Sequence, residues 1–377
     1  MLYLDHAATT PMRPRVWEAM APFASETFGN SSGIHEVSRR AKNALEEARE
    51  TAADLIGAGP KEIVFTSGGT EADNLAVKGT ALSGAGPSGI VVSSVEHEAV
   101  LESARFCARL GHLVAVAQVD DQGRVDPASV AELIEDSTVL VSVMAANNET
   151  GVIEPVREVV HAVRERMSSV TVHTDAVQAF ISEDLDVSDL GVDLLSLAAH
   201  KFGGPKGIGL LFVREGTRLE PVAHGGGHEL GRRSGTHNVM GAVGMAAAMT
   251  EAVKDRDRFR SDVGEARRRF ESALTRVLPD LRINAPLDNR LVQHSHVRIP
   301  GVRNETVLIR LDRNGVAASS ASACQSGANT VSHVLRAMGF SDEEARQCLR
   351  FTFGWTTRPD EGEEAARIVL DCLEGLL

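Results

Sequence analysis

The sequence predicts an α/β chain: one large layer on a mixed, mostly parallel sheet, with a second, smaller α+β domain after it. Three observations carry this expectation. Seven short β-branched runs recur through the first two thirds, helical patterns lie between many of them, and 377 residues is long enough for two cores at roughly 100–200 residues per domain.

The runs are IVFT (63–66), IVVSSV (90–95), LVAVA (113–117), VLVSV (139–143), VTVH (170–173), LLSL (194–197) and IGLLFV (208–213). Their continuous apolar character reads as buried strands. Residues 37–55, with an Arg/Glu-laced polar face, and 156–167 read as helices, and such alternation builds a parallel sheet by crossover connections. IGLLFV follows LLSL after a Gly-rich bend, so it is expected to lie antiparallel to its neighbour. Residues 241–278 read as one long helix, apolar at first and then heavily charged, as where a helix leaves one core and enters another. HSHVRIP, ETVLIRLDRNGV, a small-residue stretch and a helical tail then form the smaller domain. The expected division is 13–258 for the large domain and 1–12 with 259–377 for the small one.

Composition removes several classes of function. Lys plus Arg total 39 against 52 Asp plus Glu, a formal charge of −13, which argues against a phosphate-backbone binder. A local basic pocket for a small anion is still allowed. Aromatic residues make up 4%, with one tyrosine, so platforms for stacking bases are few. No apolar stretch spans a bilayer and MLYLDHAATTP carries no signal-peptide pattern, so a cytoplasmic location is expected. The four cysteines form no CxxC pair, fit a reducing compartment and supply no metal framework. No metal site is expected.

Five segments can carry chemistry. TSGGTEADN (66–74) follows a strand and opens a helix: Gly68 and Gly69 allow close backbone approach, Thr70 adds a hydroxyl, and the helix start offers free N–H groups to an anion. A Gly-rich turn capped by Thr70 explains that segment equally well. VTVHTDAVQ (170–178) places Asp175 at a strand's carboxyl end, either as a helix cap or as the partner of a protonated heterocycle. SLAAHKFGGPKGIG (196–209) places His200 and Lys201 at the next strand end, where a lysine is either a snorkelling surface residue or an amine made nucleophilic by burial. SVEHEAVL (94–101) brings His97 to the same edge, as a helix cap or as a flat ring stacked on a cofactor. Phosphate cup, acid and lysine on one sheet edge are together what pyridoxal 5'-phosphate needs. Finally, Cys324 lies in a run of Ala and Ser (317–324) too small-sided to pack as core, which marks an accessible loop thiol, whereas Cys107, Cys348 and Cys372 read as inert residues in helical, apolar surroundings.

In order along the chain, YLDHAATTP (3–11), FGNSSGIH (28–35), FTSGGTEADNLAVKG (65–79), EHEAVL (96–101), ANNETGVI (146–153), HTDAVQA (173–179), HKFGGPKGIG (200–209), HGGGHELGRRSGT (224–236), SASACQSG (321–328), SHVLRAMG (332–339) and LRFTFG (349–354) resemble the pyridoxal-phosphate-dependent cysteine desulfurases of the NifS/IscS kind, in the class V aminotransferase superfamily. The resemblance covers essentially the whole chain. It implies the type I fold of pyridoxal-phosphate enzymes, with a seven-stranded sheet in the large domain. Lys201 would carry the cofactor and move the Cα proton, Asp175 would pair with the ring nitrogen, Gln178 would bond the ring hydroxyl oxygen, and His97 would stack on the ring. Gly69, Thr70 and His200 would hold the phosphate, with Thr236 reaching across from a second subunit of a homodimer. Asn148 would lie beside ring and substrate, and Asn30 and Arg350 would clamp the α-carboxylate. Cys324 would take sulfur from L-cysteine as a persulfide, leave alanine, and pass the sulfur to an acceptor protein of iron–sulfur cluster assembly or a thiolation pathway.

Two departures stand out. SASAC puts Ala321 where the family usually has Gly, and Ala198 stands where Ser is frequent, so a hydroxyl contact to the phosphate is expected to be missing. The length from Cys324 to SHVL matches the long-loop class of these enzymes. Other readings keep the fold but change the reaction, to a selenocysteine lyase, another C–S lyase or an aminotransferase, or make the chain a sulfur-carrier scaffold that depends on a partner. None of those other lyase or aminotransferase chemistries requires a thiol in the Cys324 loop.

Overall fold

A computed structural model describes residues 1–286, 288–320 and 331–377. Seven strands form the main sheet: β2 (Ile63–Thr66), β3 (Gly89–Ser93), β4 (Leu113–Ala117), β5 (Thr138–Ser142), β6 (Thr171–Asp175), β7 (Leu194–Ala198) and β8 (Gly209–Val213), with β1 (Leu2–Tyr3) lying elsewhere. Their order is β2-β8-β7-β6-β5-β3-β4, and β8 alone runs against its neighbours, as the Gly-rich bend before it leads one to expect. The period-two geometry of strands divides each run between two layers. Ile63 and Phe65 face a core with Val91, Leu195 and Phe212, while Val64 packs with Leu75 and Leu211 under the helix Gly69–Leu82, and Ile90 and Val92 pack with Val100 and Ala104 under Glu98–Arg109.

Two expectations need correction. LVAVA is not a buried strand: among the described residues β4 lies at the sheet edge and pairs with β3 alone, which leaves Leu113 59% and Val116 43% exposed. Nor is 241–278 one helix. It divides into Val239–Lys254 and Arg256–Val277 at Asp255, where φ −92° and ψ 0° turn the chain while its N–H still reaches Glu251 O and its carbonyl accepts from Phe259 N. Arg13 Nη1 holds the Asp255 carboxylate at 2.7 Å. A one-residue break that keeps a right-handed backbone leaves no mark on hydrophobic periodicity.

The smaller unit is an antiparallel sheet of β12 (Cys348–Thr352), β10 (His294–Arg298) and β9 (Arg282–Ile283), beside the parallel pair β1 and β11 (Val316–Ala317). Phe270 packs its ring 4.8 Å from that of Phe351 and 5.6 Å from that of Phe353. The helix Glu361–Leu373 lies so close to Arg256–Val277 that a Cβ at Gly362 would stand 1.9 Å from Ala266 O, so only glycine fits. We propose 13–258 and 1–12 with 259–377 as the domain division, which falls next to the kink at Asp255. Among the described residues no helix is long and apolar enough to cross a membrane.

Because β2, β3, β5, β6 and β7 run the same way, their carboxyl ends share one edge of the sheet, where α/β folds collect ligands. The first residues of the chain return to that edge. Asp5 bridges to Thr352 of β12, and Ala7 N donates to Thr352 Oγ1 at 2.8 Å.

Candidate active site

At that edge lies a cavity of about 270 Å³. Gly69, Thr70, His97, Asn148, Asp175, Gln178, His200, Lys201 and Arg350, separated by up to 281 positions in sequence, all line it. Ala7 and Ala8 close one wall.

β7 ends at Ala198 and passes into one turn of 3₁₀ helix, Ala199–Lys201. The Lys201 amine neither snorkels into water nor sits in an apolar hole: Nζ donates to the carbonyl of Ala8 at 3.0 Å and to that of Ala7. Gln178 Nε2 donates to the same Ala7 carbonyl at 3.0 Å. His200 Nδ1 lies 3.2 Å from Thr9 Oγ1, and burial, aided by Lys201 and Lys206, pushes its pKa down to about 4, so the ring is neutral near pH 7.

Asp175 and His97 each bind a nearby backbone N–H and also face the cavity, Asp175 within a turn rather than at a helix start and His97 as a helix cap. Asp175 ends β6, and its Oδ1 accepts from Val177 N at 2.9 Å while the residue faces the cavity. Burial raises its pKa, against His97, the Val177 N–H and Lys201, which lower it. His97 caps Glu98–Arg109 by accepting from Ala99 N through Nδ1 at 3.1 Å, and it also lines the cavity. Burial lowers its pKa, with Asp175 opposing and Lys201 reinforcing. Thr70 does not cap its helix. That helix starts at Gly69 with Gly68 in the cap position, and the Thr70 hydroxyl hydrogen-bonds no described residue.

Sequence reasoning missed Asp73. It sits on the first turns of Gly69–Leu82, is 1% exposed, and shares the cavity wall. Its Oδ1 has no hydrogen-bond partner among the described residues, and His173 Nε2 stands 3.7 Å away. Burial and repulsion from Asp175 hold its pKa well above the usual carboxylate range. A buried polar residue in a helix register otherwise occupied by Ala72, Leu75 and Ala76 was the available signal. Donor atoms of Asp73, His97 and Asp175 lie within 4.8 Å of one another. Two buried carboxylates that close do not both ionise unless a positive charge joins them, and a protonated ring nitrogen is such a charge.

The site therefore fits pyridoxal 5'-phosphate on its own chemistry: an acid for the ring, an amine beside it, and a helix start with an unused hydroxyl for the phosphate. The cup is tight, since a Cβ at Gly69 would stand 3.0 Å from Val177 Cγ2 and 3.4 Å from Ala198 Cβ.

Two candidates, Asn30 and Thr236, are not among the residues that line this cavity. Asn30 is exposed and uses its Oδ1 to accept from Ser32 N at 3.0 Å. Thr236 is exposed in the loop after Gly231, away from the cavity of its own chain. Cys324 and Ala321 lie outside the described residues. The other three cysteines are buried, and Cys348 opens a strand rather than lying in a helix. Burial pushes its thiol up to about 12, so it is unreactive.

Residues 2–362 match the model of the family described as aminotransferase class-V. The cysteine desulfurase IscS of Dictyoglomus turgidum is 43% identical over 379 residues, covering 100% of this chain and 94% of that protein. A solved structure of a NifS-like protein superposes with a TM-score of 0.93 at 34% identity, covering 99% of each chain. Another, of SspA in complex with cysteine, gives a TM-score of 0.83 at 35% identity over 94% of this chain and 99% of that one. With likeness of this extent in both sequence and structure, the chain belongs to the class-V aminotransferases and, within them, to the cysteine desulfurases.

Proposed function

We propose that this enzyme converts L-cysteine to L-alanine with pyridoxal 5'-phosphate and passes the sulfur, as a persulfide on Cys324, to an acceptor protein. The observation that carries the reading is the convergence of Lys201, Asp175, the Gly69 helix start and Arg350 on one cavity. When bound, the cofactor supplies the electron sink that lets an amino acid lose its Cα proton. Every other part is played by the chain. Gly69, Thr70 and His200 would hold the phosphate, Asp175 would keep a proton on the ring nitrogen, and His97 would stack on the heterocycle. Gln178 has a second amide N–H beyond the one given to Ala7, and it serves the ring hydroxyl oxygen. Lys201 Nζ is the nucleophile that anchors the group and then the base that moves the proton at Cα.

Arg350 takes the substrate carboxylate, with Asn148 beside it. Cys324, as thiolate, attacks the substrate sulfur; the C–S bond breaks with its electron pair moving to the substrate carbon, which is then protonated to give alanine. Asn30 joins Arg350 at the carboxylate, and Thr236 acts at the phosphate from a second subunit of a homodimer. The acceptor belongs to iron–sulfur cluster assembly or a thiolation pathway, and the enzyme works in the cytoplasm.

Mass spectrometry after incubation with L-cysteine tests the proposal. One extra sulfur is expected on the peptide carrying Cys324 and none on those carrying Cys107, Cys348 or Cys372; an unmodified Cys324 during active turnover would sink the persulfide step. A second result is expected at Ala198, whose Cβ lies under Gly69. Ala198→Ser restores a hydroxyl at the phosphate cup and tightens cofactor binding by about tenfold, the worth of one hydrogen bond to a charged group. Titration of the cofactor-free protein reads this, and unchanged affinity would place residue 198 outside the phosphate contacts.

A further inference from the structure

Arg350 enters the cavity from β12 with only 5% of its side chain exposed. Nη2 donates to Asp5 Oδ1 at 2.7 Å and Nη1 to the carbonyl of Asn148 at 2.9 Å. Nε is buried without a hydrogen-bond partner among the described residues. Two histidines and one further carboxyl face this guanidinium, and none of them is ion-paired with it. His294 and His296 of β10 are fully buried and kept neutral, His296 with a pKa of about 3, by that burial and then by Arg350 itself. Glu149 is buried, and burial raises its pKa, against a hydrogen bond from Ser332. Among the described residues, Asp5 is thus the carboxylate ion-paired with Arg350.

Asp5 sits where the backbone holds it firmly. Its residue bridges to Thr352, two positions from Arg350 on the same strand, and its carbonyl accepts from Tyr3 Oη at 3.1 Å. The incoming substrate therefore meets a guanidinium that already has an anion. Two of its N–H groups are committed, to Asp5 and to Asn148, which fixes the plane of the fork; its charge is half spent before a second carboxylate arrives.

We propose that Asp5 is a positioning residue of the carboxylate subsite, an internal anion that fixes the Arg350 fork and weakens its hold on the carboxylates of substrate and product alike. The inference rests on the reading of Arg350 as the α-carboxylate clamp. Its physical logic lies in the reaction: cysteine and alanine carry the same α-carboxylate, so tighter clamping binds both equally, adds nothing to the chemical step and slows release. Asp5 sets that clamp to hold without trapping.

Propionate is the probe, since it carries the carboxylate but no amine to react with the cofactor. Its affinity is measured by calorimetry on the cofactor-loaded and the cofactor-free protein, for wild type, Asp5→Asn, Asp5→Ala and Arg350→Gln. Asp5→Asn retains an acceptor for Nη2 but removes the charge, and about tenfold tighter propionate binding is expected, with a parallel fall in KM for L-cysteine and no rise in kcat. Asp5→Ala removes the acceptor too and is expected to gain less. If Arg350→Gln binds propionate as wild type does, the reading of Arg350 fails. If Arg350→Gln loses binding while Asp5→Asn binds no tighter than wild type, the role of Asp5 is overturned and Arg350 keeps its own. Should Asp5→Asn not fold, Asp5→Ser, a second neutral acceptor, makes the same measurement.

Discussion

Lys201→Ala is expected to lower cysteine desulfuration by roughly 10⁴-fold or more, because it removes both the nucleophile that anchors the cofactor and the base that moves a proton at Cα. Its Nζ is lodged on the Ala7 and Ala8 carbonyls from the turn after β7, it lines the same cavity as Asp175, and among the described cavity residues it is the amine. The visible absorbance of lysine-anchored pyridoxal should vanish, while fold stability stays close to wild type since the two carbonyls can turn to water. His200→Ala, in contrast, should keep the absorbance and weaken phosphate affinity. Retention of the lysine-anchored band in Lys201→Ala would remove this residue from its role.

The largest expected effect on stability lies away from the cavity. Arg49, 9% exposed, grips Glu229, 1% exposed, through Nη1 at 2.7 Å and Nη2 at 2.9 Å. Phe65 N donates to the same carboxylate at 3.0 Å, His237 Nε2 lies 3.2 Å from it, and His237 Nδ1 pairs with Ser31 Oγ at 2.8 Å. One buried charge thus ties the helix Glu36–Asp54, β2, and the segments that carry Asn30 and Thr236. Glu229 also has φ 51° and Leu230 φ 57°, a left-handed backbone that non-glycine residues adopt only when surroundings enforce it. Glu229→Gln leaves the guanidinium buried without its anion and is expected to cost about 3–5 kcal/mol. Denaturant unfolding of the cofactor-free protein measures it, and a loss under 1 kcal/mol would show that the pair is stabilised no more than a surface bridge.

The same group gives stability a pH dependence. Burial pushes the Glu229 carboxyl up, but hydrogen bonds from His237, Arg49 and the Phe65 N–H outweigh burial and hold it at about 2, against 4.5 unfolded. The folded value is the lower one, so the contribution, about 3 kcal/mol, is complete above pH 4.5 and is lost as pH falls toward 2. Glu229→Gln should flatten that part of the acid unfolding curve; an identical acid limb in the variant would contradict the shift.

The strands were legible because each run is a short, mostly apolar segment rich in β-branched residues or leucine, bounded by turn residues, a pattern that needs no neighbour to be recognised. LVAVA was misread for the same reason: its residues resemble the buried runs, and only its place at the sheet edge exposes them. Lys201, Asp175 and His97 were legible since each lies within three residues of a strand end or starts a helix, where side chains project over the edge. Asp73 was not, because an acid on a helix is ordinarily a solvated residue until the sheet covers it. Nor was the pairing of Asp5 with Arg350, which lie 345 positions apart.

By itself the sequence determined the fold class, the antiparallel strand, the motifs and several residues that line the cavity, because these follow from local periodicity and from residue type at strand ends. Tertiary structure alone decided the break at Asp255, the neutral state of His200 and the raised pKa of Asp73, the lodging of Lys201 on the first loop of the chain, and the anion already held by Arg350. Burial and charge are sums over neighbours distant in sequence, and no local pattern contains them.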